Sequence, residues 1–199
     1  MPYVGTETMR FAPRTVLIGH SMIIIRQATA GLIPSMVAIE KAIYGFVPWD
    51  NNAFEVELRH KRRLYLVAQD KENGQVLGFA GLSINDYEAD SHVTNIGVLP
   101  SFQRQGLGSK LFDILMMVSR KCGMKTMSLE VRRSNIEAQS LYERLGFMKT
   151  RLRRHYYVDN GEDAYEMSLV LGGEQENHDG RQINSGIWIE LWRDQCGSN

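Results

Sequence analysis

The segment that most constrains this chain is Gln103-Arg104-Gln105-Gly106-Leu107-Gly108. It follows an apolar stretch at 92–99 that reads as a strand, and it precedes a helical run. Strand, short glycine loop and helix together let a backbone cradle a pyrophosphate. The loop N–H groups point inward, a glycine allows close approach, and the helix N-terminus adds positive potential. Gly108 is expected to leave room for the helix to pack on the strand. The loop is neither a Walker A sequence nor the dinucleotide pattern G-x-G-x-x-G. A tight strand-to-helix turn with no ligand fits the same six residues.

The residues downstream extend the pattern. Leu107, Leu111, Ile114, Leu115 and Val118 recur at helical spacing, and Gly123 follows the basic last turn as a C-terminal cap. Residues 126–131 alternate, with Met127, Leu129 and Val131 on one face and Thr126, Ser128 and Glu130 on the other. Ser134 and Glu137 have the spacing of a capping box for a short helix running to Leu145. Phe147 onward reads as another strand.

These motifs carry a resemblance. The loop is similar to the Q/R-x-x-G-x-G/A loop of the GCN5-related N-acetyltransferases (GNAT), which holds the pyrophosphate of coenzyme A. Ser128-Leu-Glu-Val-Arg-Arg-Ser-Asn135, Leu141-Tyr142-Glu143, Leu145-Gly146-Phe147 and the Tyr156-Tyr157 and Gly161-Glu162-Asp163-Ala164 segments look like the second half of protein N-terminal acetyltransferases. Within these the chain most resembles the RimI type, which acetylates the N-terminal alanine of a small-subunit ribosomal protein. The resemblance spans roughly residues 22–171 and is densest between Asn95 and Met167.

Length and composition set the bounds. A chain of 199 residues suffices for one domain with a sizeable core. No apolar run approaches a membrane-spanning helix or a signal-peptide core, so a cytoplasmic protein is expected, with no contact to membrane or directly to nucleic acid. Cys122 and Cys196 read as two free thiols, and no Cys-x-x-Cys or histidine pair suggests a metal. The net charge is zero but unevenly spread. Residues 101–155 hold twelve Lys or Arg against four Asp or Glu, while 156–199 hold two against nine. A basic half suits an anionic ligand, and an acidic segment beside it suits a basic peptide.

Residues 1–21 read as an extension and 22–29 as the first strand. A helix is expected over 33–44, opened by Pro34, then the aromatic loop Gly45-Phe46-Val47-Pro48-Trp49 and a second helix near 53–60. Strands at 64–69 and 76–84 flank a turn containing Asn73-Gly74, a hairpin signal. Strands at 93–99 and 164–171 complete an α/β fold, a mixed and largely antiparallel sheet with helices on both faces. A polar linker follows from Gly172, ending in an apolar tail at 187–192. The expected division is therefore an extension (1–21), a GNAT domain (22–171) and a linker with tail (172–199).

The resemblance implies roles for single residues. Glu130 is the expected general base, acting through water on an amine whose ammonium form has a pKa of about 7.7–8.0. Tyr142 is the expected acid near the leaving sulfur. Acetyl-CoA is the implied co-substrate, held by the backbone of Ile96, Gly97 and Val98 along its pantetheine arm. Arg104, Gln105, Gly106, Leu107, Gly108 and Ser109 are expected at the pyrophosphate, with Asn135 as a further contact or only a helix cap. Phe46 and Trp49 on one side and Tyr156 and Tyr157 on the other resemble the walls of a peptide slot, though Trp49 also fits a small core under the loop. Asp159, Glu162 and Asp163 beside that slot would attract the basic N-terminus of a ribosomal protein. Two alternatives are an acetyltransferase acting on lysine side chains or small amines, and a coenzyme A-binding module without catalysis.

Overall fold

A computed structural model describes residues 9–172. The linker beyond Gly172, the apolar tail and Cys196 lie outside the described residues. Eight strands form one sheet: β1 (Arg14–Ile18), β2 (Ser21–Gln27), β3 (Arg63–Asp70), β4 (Val76–Asn85), β5 (Asp90–Val98), β6 (Thr126–Arg132), β7 (Met148–Tyr157) and β8 (Glu162–Val170). Their order is β1-β2-β3-β4-β5-β6-β8-β7, and every neighbouring pair is antiparallel except β5 with β6. The α/β expectation holds. The first strand comes earlier than expected, because Arg14–Ile18 pairs residue for residue with Ser21–Ile25 across a tight turn where Gly19 takes a φ of +58°.

The described residues also form four α-helices: α1 (Ile33–Tyr44), α2 (Asn51–Arg59), α3 (Leu107–Lys121) and α4 (Ile136–Arg144). Alternation along the central strands sends side chains into two cores. Leu64, Leu66 and Ala68 of β3 join Leu107, Leu111, Phe112 and Leu115 of α3. Tyr65 and Val67 of the same strand join Met36 and Ile39 of α1 and Phe54 of α2 on the other face. Met127, Leu129 and Val131 of β6 all lie in the α3-side core, so Ser128 and Glu130 point to the opposite face.

Two helix caps deserve comparison with the sequence. Asp50 caps α2 by accepting from the Ala53 N–H at 2.8 Å. The capping box expected at Ser134 does not form. The cap of α4 is Asn135, whose Oδ1 accepts from the Ala138 N–H at 3.0 Å, one residue later. Ser134 instead gives its N–H to Glu162 at 2.7 Å, and Glu137 is taken by Arg104 at 3.1 Å.

One irregularity in the sheet creates the site. β5 and β6 share only three residue pairs, ending at His92↔Ser128, although they are 9 and 7 residues long. Just past that pair β5 carries a bulge: Gly81↔Asn95 is followed by Leu82↔Val93, leaving Thr94 unmatched. A bulge bends its strand and ends regular pairing. The two parallel strands therefore diverge, and among the described residues no strand lies beside the β5 edge from Val93 to Val98 on the β6 side.

Candidate active site

At one end of this wedge the loop leads into α3. Gly106 caps the helix with a φ of +90°, and no side chain caps it. Arg104 also holds a positive φ, +62°. The first helical bond runs from the Lys110 N–H to the Gly106 carbonyl at 3.0 Å. The N–H groups of Leu107, Gly108 and Ser109 thus have no acceptor within the helix. Leu107 offers only its backbone, since its side chain is buried in the core. A Cβ on Gly106 would meet nothing within 4 Å, so the space over these N–H groups is open. Gly108 is less constrained than the sequence suggests. A Cβ there would make ordinary contacts, 3.8 Å to Leu141 and 4.0 Å to Val98. Gly97 is the tighter position, since a Cβ would lie 2.8 Å from the Phe79 ring.

On the sheet face away from α3 lies a cavity of about 450 Å³, lined in part by Asp90, His92, Ser128, Glu130, Arg153 and Glu166. Register explains the assembly. Ser83, His92, Ser128 and Ser168 sit side by side on four neighbouring strands, and Glu130 pairs with Glu166 in the next row. Glu130 is the hub. Its Oε1 accepts from Arg153 at 2.6 Å, and its Oε2 lies 3.1 Å from His92 Nε2. Arg153 also reaches Glu166 at 3.2 Å. Burial pushes the Glu130 carboxyl upward, but the hydrogen bond and charge of His92, the charge of Arg153 and the nearby Tyr156 outweigh it, and the net shift is downward.

Comparison with known proteins fits this geometry. Residues 33–147 match the acetyltransferase (GNAT) family. The chain is 39% identical to the ribosomal protein bS18-alanine N-acetyltransferase of Escherichia coli K12, across 70% of this chain and 91% of that protein. The chain belongs to the GNAT family. It is also 36% identical to the N-alpha-acetyltransferase RimI of Mycobacterium tuberculosis, across 63% of this chain and 77% of the relative. The crystal structure of the E. coli S18-alanine enzyme superposes with a TM-score of 0.67 at 34% identity, over 78% of this chain and 98% of that one. Ard1 of Thermoplasma volcanium gives 0.67 at 26% identity, over 76% and 99%. The chain is an N-acetyltransferase of the RimI-like group.

GNAT acetyltransferases use acetyl-CoA. The uncapped α3 N-terminus, the open space over Gly106 and the unpartnered β5 edge fit a ligand with phosphates at one end and an amide-bearing arm. Among the residues expected at this GNAT cofactor site, Arg104 and Gln105 already have protein partners, Arg104 on α4 and Gln105 within the loop region. Arg104 holds Glu137, and Gln105 donates to the Ser101 carbonyl at 3.1 Å. The Oδ1 of Asn135 is committed to its cap.

The aromatic residues divide. Tyr142 is 7% exposed and packs against Phe112 and Phe147, with ring centroids 5.2 and 6.1 Å away. Burial, with smaller contributions from Tyr44 and Tyr157, pushes its phenol well above the ordinary tyrosine value. Tyr156 and Tyr157 meet edge to face at 5.2 Å. A register shift in β7 between Arg153 and Tyr157, with His155 at a φ of +51°, turns this end of the strand. Tyr157 lies under the Arg132 guanidinium at 3.8 Å. Phe46 is exposed and neighbours Tyr44. Trp49 packs on Phe54 at 5.7 Å and belongs to the α1–α2 core, the second of the two fates open to it.

The acidic trio does not stand free. Arg132 takes Asp159 at 3.0 Å and Glu162 at 3.3 Å, and Arg133 reaches Asp163 at 3.8 Å. The acids that line the cavity beside Glu130 are instead Glu88, Asp90 and Glu166. Sequence reasoning missed them, and it missed His92 and Ser128 as site residues. The available signal was a pair of polar residues two apart on each of two strands, Asp90 with His92 and Ser128 with Glu130.

Proposed function

We propose that this chain transfers the acetyl group of acetyl-CoA to the N-terminal α-amine of a protein, the N-terminal alanine of a small-subunit ribosomal protein. The observation that carries this reading is the placement of Glu130. It stands in a polar cavity where β5 and β6 part, within reach of an amine on one face of the sheet. The α3 N-terminus and the open β5 edge offer the donor site. The relatives named for bS18-alanine acetylation supply the substrate class.

Acetyl-CoA supplies an acyl thioester. The incoming amine must shed a proton, and Glu130 acts as the general base with His92 beside it. An ammonium of pKa about 8 is a poor donor to an isolated carboxylate held below about 4.5. The carboxylate therefore orients the ammonium and a bridging water, and shares the proton with the imidazole. An N–H on the β5 edge polarises the acyl oxygen as it gains charge. Tyr142 acts by a hydrogen bond to the leaving sulfur. With its phenol raised above 10, full proton transfer to a thiolate of pKa about 8.5 is uphill by more than about 2 kcal/mol, so the bond stabilises the thiolate without completing the transfer.

Intact-mass analysis after incubation with acetyl-CoA tests the assignment, using an alanine-starting basic peptide and a copy with a blocked α-amine and a free lysine. Addition of one acetyl group to the first peptide alone is expected. Faster reaction at lysine would move the chain to the side-chain class. Glu130→Gln should lower kcat by about 10²–10³-fold with acetyl-CoA affinity retained. Full activity in that variant would remove Glu130 from the mechanism.

A further inference from the structure

The hydrogen bonds behind His92 form a chain whose proton count can be worked out. Asp90 accepts twice, from the Thr126 hydroxyl at 2.5 Å and from the Ser128 hydroxyl at 2.7 Å. A serine has one hydroxyl proton, and Asp90 receives it. The Ser128 Oγ lies 3.1 Å from His92 Nδ1 and has only lone pairs left to offer there. His92 Nδ1 must therefore carry a proton. The other ring nitrogen, Nε2, then faces the Glu130 Oε2 at 3.1 Å.

We propose that Asp90 and Ser128 are positioning residues, an arm that fixes His92 in its Nδ1-protonated form so that Nε2 is presented to Glu130 and the incoming amine. The inference rests on the functional reading of Glu130 above and adds to it the reason why His92 can serve there. In the opposite neutral tautomer Nε2 would already hold a proton, donate it to Glu130, and have nothing with which to accept another. Without an amine, a proton between Nε2 and the Glu130 Oε2 closes their 3.1 Å contact; once it leaves to solvent and Nδ1 keeps its own, the two atoms are a fork that a primary ammonium bridges with two of its N–H bonds. One of those N–H bonds breaks and an N–H bond forms at Nε2, turning imidazole into imidazolium. The freed nitrogen lone pair attacks the thioester carbon, the carbon–sulfur bond breaks to release thiolate, and the second proton that the nitrogen sheds as the amide forms passes to that thiolate to give the thiol. Arg153 on Oε1 keeps Glu130 anionic, which favours the proton's residence on the imidazole.

Other groups also face this ring and enter any pH dependence. Glu130 is on β6, Asp90 on β5, Arg153 on β7 and Glu166 on β8, with Glu88 in the turn before β5 and Ser83 and Asn85 on β4. Tyr156 stands beyond Glu130. Ser128 and Glu130 are the described residues within hydrogen-bond distance of the ring nitrogens.

The test has two arms. In the first, long-range proton–nitrogen NMR of the full chain reads the tautomer of His92, assigned by its disappearance in His92→Gln. The neutral ring should show a protonated Nδ1 in wild type, and should lose that preference in Ser128→Ala and Asp90→Asn. An unchanged tautomer in both variants would overturn the proposal. In the second arm, initial rates on the alanine-starting peptide are measured from pH 6 to 9. Ser128→Ala should lower kcat by about 3–10-fold and shift its acid limb, with KM for acetyl-CoA unchanged, and Ser128→Thr should restore the rate. The same Ser128→Ala change made in His92→Gln should have no further effect, because the arm acts only through the ring. An equal loss in both backgrounds would mean that Ser128 merely supports the sheet, and the proposal fails. Wild type that leaves this peptide unmodified would sink the functional reading. The tautomer arm needs no substrate and still decides the role of Asp90 and Ser128.

Discussion

Glu40 is the most buried charged residue of α1, 1% exposed on a face shared with Ile33, Met36 and Ile39. Its carboxyl meets the side chain of Asn95 on β5. Burial raises its carboxyl from 4.5 to about 7, with Asn95 pulling weakly the other way. An acid whose folded value lies above its unfolded value binds more protons folded than unfolded between those two values. Stability then falls as pH rises through that window. The difference of about 2.5 units corresponds to about 3 kcal/mol once both states are ionised. Glu40→Gln keeps the shape and removes the titration. Urea unfolding of the two proteins at pH 5 and pH 8.5 should show the variant gaining about 2–3 kcal/mol on wild type between the two conditions. Carboxylates elsewhere cancel in this difference, because both proteins carry them. A stability gap that is the same at both pH values would show that Glu40 ionises as freely in the folded protein as in the unfolded one.

Gly106→Val places a branched side chain at a φ of +90° over the unbonded N–H groups of α3, in space with no protein atom within 4 Å. The protein should stay folded with a stability loss of about 1–2 kcal/mol, while calorimetry should show acetyl-CoA affinity falling by at least about 100-fold. Wild-type affinity would reduce the loop to a turn. Peptide charge should also matter, because Glu88 and Asp90 line the cavity without a guanidinium partner. A basic alanine-starting peptide should react faster than an acidic one, and the gap should narrow as salt rises past a Debye length of about 8 Å. Rates that ignore flanking charge would refute this.

What could be read from the sequence was local. The helix at Leu107–Lys121 announces itself by apolar spacing and by glycine at both ends, and those signals sit within the helix and its flanks. The first strand escaped because five residues, Arg14–Ile18, carry too little periodicity to stand apart. Its one clear marker was a glycine turn two residues long before an apolar run. Register was harder still. His92 meets Ser128 across 36 positions and through a parallel pairing only three residues deep, so no window along the chain contains both. The bulge at Thr94 that opens the wedge depends on how β4 and β5 align, which composition does not encode.

Charge shows the same limit from the other side. Counting along the chain finds a basic stretch next to an acidic one and suggests two opposed surfaces. Folding instead brings Arg132 and Arg133 onto Asp159, Glu162 and Asp163, so much of that contrast is consumed within the protein. Hydrogen bonds from the Ser134 side chain first, then its N–H, Arg132 and Asn160, hold Glu162 down at about 2. That carboxylate stays ionised and stabilising above its unfolded value near 4.5, and it loses the contribution only as pH falls toward 2. The charges left over for a partner are those whose neighbours across the sheet are hydroxyls and a histidine, not guanidinium groups. Asp90 is such a residue: its contacts are Thr126 and Ser128, and the proton it draws from Ser128 is the one that settles how His92 is held.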